Sequence, residues 1–195
     1  MESLAGKIAW ITGAGTGIGE ATAETLAAAG MAVTLSGRRA GPLEAVAGRI
    51  RAAGGSATVA PLDVVDGDAC QQAADAILAQ HGRIDLLFNN AGTNTTDRTL
   101  DVLTRENFKH LVDVNLTGAY NAVSAVLPAM RRQQDGLIVN LVSWAGRYVG
   151  KGAGVAYCAS KHGMLVLNEA LNQEECGNGI RATAICPADV DTPIL

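Results

Sequence analysis

A chain of 195 residues can close one hydrophobic core without disulfides or a structural metal, so a single domain spanning 1–195 and no metal site are expected. Hydrophobic residues make up 48% and charged residues 17%, which excludes long disorder, and a formal charge of -4 with scattered Lys and Arg excludes the footprint of a nucleic-acid binder. Cys70, Cys158, Cys176 and Cys186 follow neither metal-site spacing nor a secreted disulfide framework, and no window nears the roughly 18 apolar residues of a membrane span, so a soluble cytoplasmic protein is expected.

Short apolar runs then alternate with segments of helical period. A strand is predicted at 7–12 and a helix at 17–30, then a strand at 31–36 and a helix at 41–54. The same alternation gives a strand at 56–63, a helix at 66–82 and a strand at 83–90. One long helix follows over 104–133, then a strand at 136–143, a helix at 157–176 and a strand at 180–187. Strands that are apolar on both faces and joined by helices can hide those faces only in a parallel sheet covered on both sides by right-handed crossovers. The expected fold is a doubly wound parallel sheet in three α/β/α layers. Gly30, Gly54, Gly82 and Gly177 stand where helices need a left-handed C-terminal residue, and Asp66 stands at an N-cap position.

The stretch ITGAGTGIGEA joins the first predicted strand to the first helix, where backbone N–H groups and the helix dipole together suit a phosphate. Its spacing is not G-x-G-x-x-G, because Ile18 falls where the last glycine belongs; it is T-G-x-x-x-G-x-G, from Thr12 through Gly13 and Gly17 to Gly19. Alone, such a turn also suits a mere tight connection. About twenty residues on, the second strand ends in VTLSGRR, without the acid that would bond an adenosine ribose 2'-hydroxyl. Gly37 leaves room for a phosphate there and Arg38 and Arg39 can offer it charge-assisted bonds, which favours NADP over NAD; the bland alternative is a pair of solvated turn residues. Asp63 closes the third strand at the rim where ligands bind in open parallel sheets, or else serves as a cap or turn residue.

Tyr157 and Lys161 are four residues apart and share one helix face. Moving a phenol from a pKa near 10 to about 7 needs roughly 4 kcal/mol, at about 1.36 kcal/mol per unit. A lysine ammonium roughly 4.5 Å away supplies about 3.7 kcal/mol at an effective dielectric of about 20, so the pair is expected to act as a general acid/base near neutral pH. An arbitrary pair of this spacing is more often a packed ring beside a solvated charge. Ser143, at the end of the preceding strand, adds a hydroxyl that can meet the same substrate oxygen. Asn115 interrupts a run of good helix formers, where its amide competes for backbone groups and can hold a water. The NNAG stretch at 89–92 reads by itself as a turn.

Taken together, T-G-x-x-x-G-x-G, N-N-A-G, Asn115, Ser143 and Y-x-x-x-K resemble the short-chain dehydrogenase/reductase family over nearly the whole chain. The resemblance implies a Rossmann-type fold and an NAD(P)-dependent oxidoreductase acting on a carbonyl or alcohol. It implies that Gly13, Thr16, Gly17, Ile18 and Gly19 hold the pyrophosphate, that Asp63 and Val64 meet the adenine, and that Asn90, Ala91 and Gly92 line the floor near ribose and nicotinamide. Tyr157 would be the acid/base and Ser143 the substrate's hydrogen-bond partner. Lys161 would lower the tyrosine pKa and bind the nicotinamide ribose, and Asn115 would hold a relay water. Pro187, Val190 and Thr192 match further cofactor positions, although the family's usual P-G is here Pro187-Ala188. Relatives pair through two long helices, here around 104–132 and 157–176, so a homodimer or homotetramer is expected. Relatives also continue past VDTPIL into a substrate lid and a last strand, which leaves the chain read as a fragment or as a scaffold short of part of its substrate pocket. The second reading is a non-catalytic dinucleotide-binding regulator or an inactive partner subunit. Trp144, Arg147, Tyr148, Thr93 and Asn94 are candidates for the mouth of the pocket, and no substrate follows from them.

Overall fold

A computed structural model describes residues 3–192. The apolar run Ile8–Thr12 forms β1, buried along its whole length. After it come α1 (Gly17–Ala28), β2 (Ala32–Gly37), α2 (Ala40–Ala52), β3 (Ser56–Pro61), α3 (Gly67–His81) and β4 (Leu86–Asn89). The second half holds α4 (Arg105–Val112), α5 (Gly118–Gln133), β5 (Gly136–Leu141), α6 (Val155–Glu175) and β6 (Ile180–Ile185). All strand pairings are parallel, in the order β3-β2-β1-β4-β5-β6. The doubly wound, three-layer fold predicted above is therefore the one observed, and the strand order reverses between β1 and β4.

The two faces of β1 show why both must be covered. Trp10 points into a core built with Ile77 of α3, Val126 and Met130 of α5 and Leu171 of α6. Ile11 points the other way, into Ala23 and Ala27 of α1 and Leu43, Val46 and Ile50 of α2. Period-two alternation along a strand sorts these side chains to opposite layers. The Trp10 indole donates to Ser36 Oγ at 2.9 Å, so its one polar atom is satisfied inside the core. Asn89, Asn140 and Asn168, all buried, form a ladder from β4 through β5 to α6, with amide contacts of 3.2 and 3.1 Å. On β6, by contrast, Arg181, Thr183 and Ile185 are exposed.

Several boundaries differ from the sequence expectation. The predicted helix over 104–133 is broken by one π-helical turn, Asp113–Thr117, in which the Gly118 N–H reaches back to the Asp113 carbonyl. Asn115 sits at its centre, and its amide bonds groups outside the helix, as described below. β4 starts three residues late because the main chain of Ile84 pairs with the Gln133 side chain in both directions, at 2.9 Å each, and Asp85 turns its carboxylate to the Ile8 N–H. Strands β3, β5 and β6 each stop two residues early, at the edge where the chain leaves the sheet. The left-handed residue after α6 is Gly179 (φ 70), not Gly177, because a short 3-10 turn over Cys176–Asn178 carries the chain past the expected stop. Gly30, Gly54 and Gly82 are left-handed as predicted, and Asp66 caps α3 through the Ala69 N–H at 3.0 Å. No described helix is long and apolar enough to cross a membrane.

Candidate active site

The strand-order reversal leaves a crevice at the carboxyl ends of the strands, where open parallel sheets bind ligands. It is a cavity of about 900 Å³ that runs from Arg38 and Arg39 past the glycine turn to Tyr157 and Lys161.

The glycine turn is set by two locks between β1 and β4. Thr12 Oγ1 accepts from the N–H groups of both Asn90 and Ala91 at 3.0 Å, and Asn90 Nδ2 donates to the carbonyls of Thr12 and Gly13 at 2.9 and 3.0 Å. Gly13 (φ 64) and Gly17 (φ 59) take a backbone conformation that side chains resist. Gly13, Thr16, Gly17 and Ile18 line the cavity, and Gly19 does not. A Cβ at Gly19 would fall 2.6 Å from Asn90 Nδ2 and against the Gly13 carbonyl, so its part is close packing beneath the turn.

At the far end, Gly37, Arg38 and Arg39 line the wall, with both guanidinium-bearing residues exposed. Asp63 is a turn residue at the cavity edge: its carboxylate accepts the Val65 N–H at 3.1 Å, and it lines the cavity beside Val64. Asn90, Ala91 and Gly92 form the floor, and Pro187, Val190 and Thr192 close it from the last described segment. The Pro187 carbonyl accepts from the Trp144 N–H at 2.8 Å, which ties down the chain at the Pro-Ala departure.

Ser143, Tyr157 and Lys161 meet at the other end. Ser143 follows β5, and its Oγ accepts from the Ala145 N–H at 3.1 Å, which leaves its own proton to give. Tyr157 is the third residue of α6 and half-buried. Lys161 is buried one turn on; its Nζ donates to the Leu141 carbonyl at 2.8 Å, lies 3.3 Å from Met164 Sδ and 5.8 Å from the centre of the Tyr157 ring.

The electrostatics of these residues differ from the expectation of a tyrosine drawn down by its lysine. Burial pushes the Tyr157 phenol above its ordinary value of 10, and a hydrogen bond with Ser143 pulls against that rise. Burial also lowers the Lys161 ammonium to about 8. For both groups the loss of water on burial is the largest cause of the shift, and it favours the neutral phenol and the neutral amine.

Asn115 has no spare amide hydrogen for a water. Its Oδ1 accepts the Thr93 N–H at 2.7 Å, and its Nδ2 donates to the Thr93 carbonyl at 2.9 Å and to Ser160 Oγ at 3.1 Å. Among the candidate mouth residues, Thr93, Asn94 and Trp144 line the cavity, whereas Arg147 and Tyr148 do not; Tyr148 stacks on Trp144 at 4.7 Å. Sequence reading missed Arg98 and the glycine loop Gly150, Gly152 and Ala153, which also line it.

A dinucleotide fits these residues on two counts: a cradle of main-chain N–H groups opens onto the start of α1, and side-chain-free positions keep it clear for phosphate. Sheet, turn and crevice thus define a class, the doubly wound folds that hold a dinucleotide where the strand order reverses. A family model described as short chain dehydrogenase matches residues 7–195, and the chain belongs to that family. The 3-oxoacyl-[acyl-carrier-protein] reductase FabG of Thermotoga maritima is 34% identical over 98% of this chain and 77% of its own length. A metagenomic short-chain oxidoreductase crystallised with NADP superimposes with a TM-score of 0.90 at 36% identity, covering 95% of this chain and 84% of that one. A short-chain dehydrogenase/reductase from Burkholderia phymatum in complex with NAD gives 0.94 at 35%, covering 100% and 69%.

Proposed function

We propose that this protein reduces a carbonyl, or oxidises the matching alcohol, with NADP preferred to NAD and with Tyr157 as the acid/base. The observation that carries the reading is the position of Tyr157 on the cavity wall with Lys161 buried one turn behind it. When bound, the dinucleotide supplies or accepts hydride at its nicotinamide.

Gly13, Thr16, Gly17 and Ile18 would hold its pyrophosphate, with Gly19 packed beneath them. Asp63 and Val64 would meet the adenine, and Arg38 and Arg39 a 2'-phosphate; relatives bound to NADP and to NAD are both known, so the choice rests on these two side chains. Asn90, Ala91, Gly92, Pro187, Val190 and Thr192 would border the ribose and nicotinamide. Ser143 gives a hydrogen bond to the substrate oxygen and Tyr157 gives or takes its proton. Lys161 sits 3.6 Å from where a Cβ on Gly92 would stand, near enough to the floor to bond a ribose hydroxyl. Asn115 acts on the reaction through Thr93 and Ser160, as a positioning residue. Exposed Phe108, Tyr120 and Val166 on α4, α5 and α6 would pair with a second copy in a homodimer or homotetramer.

The test is direct. Mixing the protein with NADPH or NADH and a panel of ketones and aldehydes should oxidise cofactor with at least one substrate, faster with NADPH. Tight NADPH binding with no turnover across the panel would instead favour a cofactor-responsive, non-catalytic module.

A further inference from the structure

The stretch GKGAG at 150–154 comes immediately before α6 and therefore sets where Tyr157 stands. Three glycines in five residues leave it almost no side chains with which to pack, and glycine loses more freedom on ordering than any other residue. Inside the loop the Gly150 carbonyl accepts from the Ala153 and Gly154 N–H groups at 3.1 and 3.3 Å, and the side-chain bonds that hold it come from outside. Asn94 Nδ2 donates to the Ala153 carbonyl at 3.2 Å, and Arg98 Nη1 donates to the Gly152 carbonyl at 2.7 Å. Gly154 (φ 83) lies so close to Arg98 that a Cβ there would stand 2.6 Å from the Arg98 Cβ and 2.8 Å from its carbonyl oxygen. Gly154 is also the N-cap of α6, and no side chain caps that helix start.

The same segment is anchored on its other side. Thr93 is bonded through both its N–H and its carbonyl to Asn115, whose amide also reaches Ser160; Ser160 in turn donates to the Tyr157 carbonyl at 2.8 Å. Residues 93–98 thus touch the first turn of α6 by two routes, one through the glycine loop and one through Asn115 and Ser160.

We propose that Asn94 and Arg98 are positioning residues that clasp the glycine loop and so fix the Tyr157 hydroxyl for proton transfer. The proposal rests on the reading of Tyr157 as the acid/base. Arg98 works by donating to a main-chain carbonyl, and any side chain with a donor at similar reach should replace it in part.

The test compares wild type with Arg98→Met, Arg98→Lys and Asn94→Ala, using NADPH with ethyl acetoacetate, benzaldehyde and pyruvate as probes, alongside amide hydrogen exchange of the protein alone. A misplacement of about 1 Å costs about 100-fold, so Arg98→Met should lose about 10- to 100-fold in kcat while NADPH affinity stays within about twofold. Exchange at 150–158 should quicken while that of β2 and α2 stays as in wild type, and Arg98→Lys should recover most of the loss. Unaltered kcat, or unaltered exchange at 150–158, overturns the clasp. A rise in KM confined to pyruvate with kcat intact overturns it as well and makes Arg98 a ligand for a substrate carboxylate. If the wild type turns over none of the probes, the acid/base reading fails on these substrates, and the exchange of 150–158 still decides whether the clasp exists.

Discussion

Lys161 Nζ donates to the Leu141 carbonyl at 2.8 Å, a bond that joins the helix carrying Tyr157 to the end of β5. The ammonium is otherwise enclosed, and burial lowers its pKa from 10.5 to about 8. A lysine that binds its proton more weakly in the folded state destabilises the fold at any pH below about 8, and that cost fades as the pH rises from about 8 to 10.5. At about 1.36 kcal/mol per unit the cost is roughly 3 kcal/mol, against roughly 1 kcal/mol lost with the hydrogen bond. Lys161→Met should therefore be more stable than wild type at pH 7 by about 1–3 kcal/mol, with the advantage shrinking toward pH 10. Urea unfolding at both pH values checks this; a variant less stable at pH 7 would mean that burial is not what sets the lysine's proton affinity.

The tyrosine prediction follows from the opposite sign. Burial raises the Tyr157 pKa, so the phenol keeps its proton at neutral pH. Carbonyl reduction uses that protonated form and should hold steady between about pH 6 and 8, whereas alcohol oxidation needs the phenolate and should climb with pH. Tyr157→Phe should lower turnover by about 100- to 10,000-fold in both directions and leave NADPH binding nearly unchanged. Rate profiles in each direction, with fluorescence titration of NADPH, are the measurement. An oxidation rate that falls as the pH rises would remove Tyr157 from the role.

How much of this was legible beforehand differs from one residue to the next. The sheet was legible because β1 and β4 are apolar at every position but the last, Thr12 and Asn89, which suits strands covered on both faces. Asp63 was legible as a rim residue because it ends a strand of an open parallel sheet, whereas the NNAG stretch read by itself as a turn and was placed at the crevice only by the family resemblance. Arg98 was not legible, because its partner is a main-chain carbonyl 54 residues away and no spacing rule announces such a bond. Asn115 was noticed as out of place in a helix, but the sequence could not say that its amide is consumed by Thr93 and Ser160. The tyrosine's pKa was misjudged for a physical reason: helical spacing gives a distance and says nothing of how completely two groups leave water.

Cofactor choice turns on Arg38. No acid stands at the end of β2, and Arg38 lines the cavity beside Gly37. Charge-assisted hydrogen bonds contribute about 1.5–3 kcal/mol, and a carboxylate in the same place adds repulsion, so Arg38→Asp should weaken NADPH binding by about 100-fold or more while NADH changes a few-fold at most. Titration of both cofactors into both proteins is sufficient. Equal losses for the two would mean that the guanidinium faces solvent.

Gly19 separates packing from ligand contact within a single motif. It is helical and outside the cavity wall, so an added methyl meets no cofactor; it meets Asn90 Nδ2 at 2.6 Å and the Gly13 carbonyl. Those two groups form the lock that holds the glycine turn to β4. Neither is the far end of a flexible side chain that can swing away, since Asn90 is committed to two carbonyls at once. Gly19→Ala should therefore cost about 1–3 kcal/mol of stability through overpacking and should also weaken NADPH and NADH to similar extents, because the turn itself shifts. Thermal unfolding and titration of both cofactors measure the two effects. Full stability with cofactor affinity lost would mean that Gly19 touches the ligand directly, and that the crevice reaches deeper under the turn than its lining residues indicate.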